Sequence, residues 1–97
     1  MFLKVHHAPG AGDVVAVCDA GLLNRTLKHG EIEVCVSEKF YGSAAADEEE
    51  VRRALTGASN INLMGERCVA IAVDLGLIEA GSGIMIGNVP HVQIVRI

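Results

Sequence analysis

Residues 59–77, SNINLMGERCVAIAVDLGL, contain only three charged side chains, Glu66, Arg67 and Asp74. At about 100° per residue these three fall in one narrow arc of a helix. The rest of the circumference carries Leu63, Met64, Cys68, Val69, Ile71, Ala72, Val73 and Leu75. So thin a polar stripe predicts a helix covered on most sides, around which the other elements must pack. Ser59, Asn60 and Asn62 offer N-caps, and Gly76 offers a C-terminal stop.

A chain of 97 residues makes one domain, 1–97, and buries only about two-thirds of its unfolded surface. Yet 51% of its residues are hydrophobic, more than one small core readily hides. Either the interior is densely aliphatic, or an exposed apolar patch is closed by a partner or a second copy. The net charge of −4 provides no broad basic surface for a phosphate backbone, and one Tyr, two Phe and no Trp supply few stacking platforms. DNA is not indicated as a partner. Cys18, Cys35 and Cys68 are odd in number and form no CxxC pair, which suits free thiols in a reducing compartment. MFLKVHHAPG lacks the apolar core of a signal peptide, and no apolar run approaches the roughly 18 residues of a membrane span. The expectation is a cytoplasmic protein without a membrane partner.

Along the chain, Phe2–Ala8 alternates as a strand, 9–13 is a turn, and the Val-rich run 14–18 is a buried strand completing a hairpin. Asp19 is placed to cap a helix with Leu22, Leu23, Thr26 and Leu27 on one face, ending at Gly30. Residues 31–41 read as a strand with Ile32, Val34 and Val36 to one side. Residues 47–58 read as a helix opened by a capping box, Asp47 with Glu50. The i,i+4 pairs Glu48–Arg52 and Glu49–Arg53 would add about 0.2–0.5 kcal/mol each. After 59–77 come a Gly-rich connection, a strand at 84–86, a Gly87-Asn88 turn of the Gly-X kind and a strand at 89–97. The order β-β-α-β-α-α-β-β predicts an α+β fold. Its sheet is mainly antiparallel, with about three helices on one face and the terminal hairpins as neighbours.

Several stretches together resemble the archaeal domain-of-unknown-function family numbered 424. They are Val17-Cys18-Asp19, Ser37-Glu38-Lys39-Phe40-Tyr41-Gly42, Asn62-Leu63-Met64-Gly65-Glu66 and Gly87-Asn88-Val89-Pro90-His91-Val92-Gln93-Ile94. The resemblance covers nearly the whole chain. It implies an archaeal, cytoplasmic origin and no particular reaction; a link to translation is the expectation attached to it. Where family members carry Lys or Gly near the first helix, this chain has Leu23-Asn24-Arg25.

Two constellations stand out as candidate sites. Lys39 and Tyr41 at a strand end, with His91 and Gln93 on one face of the last strand, form a polar and aromatic binding patch on elements otherwise filled with Val and Ile. Asn60, Asn62 and Gly65, at the expected start of the central helix, could hold an anion on unpaired amides; capping and tight packing account for the same residues. His6 and His7 point to opposite faces of a strand and do not make a metal pair. Cys18 would feel a helix N-terminus, but Asp19 beside it opposes a thiolate. No triad, carboxylate dyad, metal set or phosphate loop is present, so neither a catalytic residue nor a cofactor is assigned. The favoured expectation is a non-enzymatic binding module for a protein or RNA partner, within translation or RNA metabolism. The alternatives are a small enzyme or anion-binding protein using Cys18 or His91, and a structural homodimer.

Overall fold

In the computed structural model, which describes residues 1–8, 10 and 12–96, the alternating N-terminal segment pairs with the Val-rich run after it. β1 (Phe2–Ala8) and β2 (Gly12–Cys18) form an antiparallel hairpin with Leu3 opposite Val17 and Val5 opposite Val15. The expected turn at 9–13 includes Pro9 and Ala11, and the last strand's expected end is Ile97; all three lie outside the described residues.

The helix expected after Asp19 does not form. A single 3-10 turn, Ala20–Leu22, is followed by an antiparallel hairpin of β3 (Thr26–His29) and β4 (Ile32–Cys35). Asp19 is committed elsewhere, as shown below, and makes no side-chain cap here. Gly30, at φ +63°, takes the first corner of the two-residue turn, a Gly-X geometry whose twist matches the strands. The strand expected over 31–41 therefore ends early. Ser37 Oγ accepts the Lys39 amide at 3.0 Å and starts a one-turn helix, α1 (Glu38–Tyr41).

α2 (Glu48–Leu55) opens with the full capping box: Glu50 N–H donates to Asp47 Oδ1 at 2.8 Å, and Asp47 N–H to Glu50 Oε1 at 3.4 Å. Arg52 pairs with Glu48 at 3.3 Å and reaches Asp74 at 2.5 Å; among the described residues Arg53 forms no ion pair with Glu49.

The central segment is the main correction. Residues 59–77 are not one helix but a strand, β5 (Asn60–Met64), and a shorter helix, α3 (Glu66–Asp74). Asn60-Ile61-Asn62-Leu63 alternates with period two, and Ile61 and Leu63 are fully buried on one side. At Gly65 φ is +120°, a conformation that residues with a side chain rarely adopt, and the chain turns from strand to helix there. Gly76 does end the helix: its N–H donates to Val73 O at 3.0 Å and Leu77 N–H to Ala72 O at 3.0 Å, the Schellman arrangement.

β6 (Ile84–Ile86) and β7 (Val89–Val95) form the last hairpin, across Gly87-Asn88 as expected. The five-stranded sheet has the order β1-β2-β5-β7-β6. Among the described residues only β2–β5 is parallel, so the sheet is mainly antiparallel, and the class is α+β. The terminal hairpins are not neighbours, because β5 lies between them.

Both faces of the sheet are used, not one. Val15 and Val17 of β2, Ile61 and Leu63 of β5 and Val92 of β7 pack with Val51 and Leu55 of α2 and Cys68, Ile71 and Ala72 of α3. The alternate residues Ala16, Cys18 and Met64 pack on the opposite face with Val36 and with Tyr41 of α1, flanked by Leu27 and Val34 of the small hairpin. Burying ten or so aliphatic side chains at about 1.5–3 kcal/mol each is the main stabilising term. At the sheet's outer edge, residues 44–46 run along β1: Leu3 N–H donates to Ala44 O and Ala46 N–H to Met1 O. No helix among the described residues is long and apolar enough to cross a membrane.

Candidate functional site

The alternation of β5 and β7 determines which side chains meet on the second face. Register places Asn60 opposite Val95, Asn62 opposite Gln93 and Met64 opposite His91. The row at Met64 is roofed by α1 and the small hairpin. Tyr41 of α1 also reaches the row at Asn62, whereas Gln93 and Val95 stand exposed, Val95 at 62%.

Asn62 is the junction. Its Oδ1 accepts Tyr41 O–H at 2.8 Å and faces His91 Nε2 at 3.2 Å. With the amide oriented this way His91 donates from Nε2, which leaves Nδ1 with its lone pair. Tyr41 is 4% exposed; its ring meets Phe40 edge-on at 4.9 Å, and Phe40 stacks on His6 at 5.0 Å. Two carbonyls of α1 are taken by β1 side chains: Lys4 Nζ donates to Lys39 O at 3.0 Å, and His6 Nε2 lies 2.6 Å from Phe40 O. This pins Tyr41 over β5. Burial pushes the Tyr41 hydroxyl well above the ordinary phenol range and holds His91 below the ordinary imidazole range, so both are neutral near pH 7.

Of the binding patch expected from the sequence, Tyr41 and His91 are joined through Asn62, and Gln93 lies beside Asn62 on the same face. Lys39 is not drawn in; it is exposed, and only its main chain is engaged, the amide by Ser37 Oγ and the carbonyl by Lys4 Nζ. Asn60 and Asn62 are not at a helix N-terminus, because the segment holding them is a strand. Gly65 is at that terminus, but its amide donates to Pro90 O at 2.9 Å.

Asp19 fills the place that an anion would take. Its Oδ2 accepts Arg67 N–H at 2.9 Å and its Oδ1 accepts Cys68 N–H at 3.0 Å, capping α3 from the end of β2. A Cβ on Gly65 would overlap the Asp19 carboxyl carbon, so residue 65 has no room for a side chain. Sequence reasoning saw Asp19 as a cap but could not find its target in a remote segment. A cleft of about 430 Å³ opens beside this junction, where the parallel pair β2 and β5 ends, lined by Leu22, Arg25, Glu66 and Asn88.

Both Cys18 and Cys68 are fully buried. Burial first, and the Asp19 charge second, push the Cys18 thiol up to about 11 and raise that of Cys68 further. Each is therefore protonated at neutral pH, the unreactive form of the group. Among the described residues no three His, Cys, Asp or Glu side chains gather as a metal set.

A family model described as "Protein of unknown function (DUF424)" matches residues 6–97. The chain is similar to a solved structure described as an uncharacterized conserved protein from Methanopyrus kandleri, at 30% identity and a TM-score of 0.80, over 99% of this chain and 92% of the other. Comparison with curated proteins gives no match.

Proposed function

The chain belongs to the DUF424 family, and we propose that it serves as a non-catalytic binding module whose partner is a protein. The observation that carries this reading is the open part of the sheet's second face. There Asn60 and Gln93 present hydrogen-bonding groups beside the exposed Val95, with the half-buried His91 at the margin of the roofed row, on strands whose other face is core. Amide side chains both donate and accept, and His91 is neutral, so the surface suits main-chain and side-chain polar groups more than phosphates. No Phe, Tyr or Trp stands among the second-face positions of β5 and β7 to stack a base, and the net charge of −4 adds no long-range attraction for nucleic acid. The Tyr41–Asn62–His91 bonds hold the polar strip in one arrangement, which limits the ordering cost of association.

Native purification of the tagged protein from its own cells, with and without RNase, tests this. A protein partner should co-purify in both samples and should be lost when Asn60, His91 and Gln93 are together replaced by alanine. Capture that depends on RNA, or a partner unaffected by the triple replacement, would refute the proposal.

A further inference from the structure

The strand β7 has a free edge, and its geometry states what fits there. Gly65 N–H donates to Pro90 O at 2.9 Å and Arg96 N–H to Ser59 O at 2.7 Å, so the main-chain groups of Pro90 and Arg96 point toward the β5 side. In an antiparallel ladder the direction alternates, which turns Val92 and Ile94 the same way and Val89, His91, Gln93 and Val95 the opposite way. β6 serves Val89 and His91, pairing Ile86 with Val89 and Ile84 with His91, and then ends. Among the described residues nothing pairs with the outward N–H and C=O groups of Gln93 and Val95. Upstream of β6 the chain is held off this edge by a turn in which Ser82 N–H and Oγ both bond to Glu79 O, at 3.2 and 2.6 Å. The space so left is a groove of about 320 Å³ walled by Ile78, Ser82 and Ile84 over Val92 and Gln93. Ile84 in its wall is 70% exposed, and Val95, two residues beyond Gln93 on the same strand, is 62% exposed.

Resting on the binding-module reading, we infer that this groove takes a short extended peptide segment of the partner protein, added as a strand in the line of β6 against Gln93 and Val95. Two outward donors and two outward acceptors at a two-residue spacing are matched by another strand and by few other structures. The side chain opposite Ile94 would point to the α2–α3 side of the sheet, toward Ile78, so an apolar residue belongs there, flanked by residues facing solvent. A second copy of the chain fits poorly. The open edge spans only about 10 Å, whereas a stable interface buries on the order of 1,000 Å² or more.

The test is selection from a phage-displayed random peptide library on the intact protein, followed by NMR of the synthetic peptides selected. Binding should slow amide exchange of Gln93 and Val95 at least tenfold. Val95→Pro deletes one outward N–H and no bond to β5, and it should weaken binding at least tenfold. Should that variant fold poorly, N-methylation of alternate peptide amides serves instead: one alternation should abolish binding and the other spare it. A library that yields no peptide, peptides that bind Val95→Pro as well as the parent, or indifference to N-methylation would each overturn the inference. If Val95→Pro still captures the partner that the triple alanine variant loses, the binding face stands and the added strand falls.

Discussion

Replacing Asp19 by alanine removes one carboxylate that ties the end of β2 to the start of α3, and the structure sets the cost. An N-cap changed to alanine loses about 0.5–2 kcal/mol. Here two amides are served, at 2.9 and 3.0 Å, and one belongs to Cys68, a fully buried residue. Leaving such a donor without a partner adds roughly 1–3 kcal/mol, so a total near 3 kcal/mol is expected. A chain of 97 residues is stable by about 5–15 kcal/mol. Asp19→Ala should therefore lower the melting temperature by roughly 10–20 °C while leaving the fold intact at room temperature. Asp19→Asn, which retains one oxygen acceptor, should cost about half as much. Urea unfolding followed by circular dichroism gives the energies, and amide exchange at Arg67 and Cys68 identifies the lost bonds. A loss under about 1 kcal/mol, or unchanged exchange at both amides, would refute the capping argument. Gly65→Ala supplies a cycle: its Cβ overlaps the Asp19 carboxyl group and its φ of +120° is strained for any side chain. In the Asp19→Ala background the overlap is gone, so the double variant should lose less than the sum of the singles, by at least about 1 kcal/mol.

Tyr41→Phe removes one donor from Asn62 Oδ1 while His91 remains beside it, and should cost about 1 kcal/mol; a neutral result by urea titration would mean the bond adds nothing. His91 is held below its ordinary pKa by burial, so its neutral form favours the fold. Its contribution is complete above about pH 6.5 and is lost as pH falls through the lower folded value. His91→Gln should flatten the stability profile on that acid side, and a profile parallel to the parent's would contradict the assignment. Arg52 joins Glu48 and Asp74 across two helices, but both carboxylates are exposed. Arg52→Ala should accordingly leave the urea midpoint almost unchanged, and a clear fall in the midpoint would show that the pair clamps α2 to α3.

What could be read from the chain was local. The β1–β2 hairpin, the capping box of α2, the Gly-X turn before β7 and the stop at Gly76 all depend on residues within a few positions of each other. Long-range partners overrode local preference elsewhere. Leu22, Leu23, Thr26 and Leu27 have helical spacing, but Asp19, their expected cap, serves α3, and Asn24 takes φ +65°, which ends any helix. Asn60 and Asn62 resemble caps, and the apolar run beyond them extends the helical period backward over β5; the alternation of Ile61 and Leu63 was the contrary signal. Tyr41, His91, Gln93 and Asn62 were all singled out in the sequence, in two separate groups. Their convergence became visible once β5 was a strand beside β7.

The place of β5 between two hairpins has a consequence for how the molecule assembles. Each terminal hairpin closes a short loop, and neither is stable alone in water. The parallel β2–β5 contact joins Val14 to Asn60, and the antiparallel β5–β7 contact completes the seam. During synthesis the first two strands must wait, both sides wetted, until the mid-chain strand emerges and slots in. Folding should then be one late cooperative event, slow for so small a chain, with the rate set by docking that strand rather than by any helix.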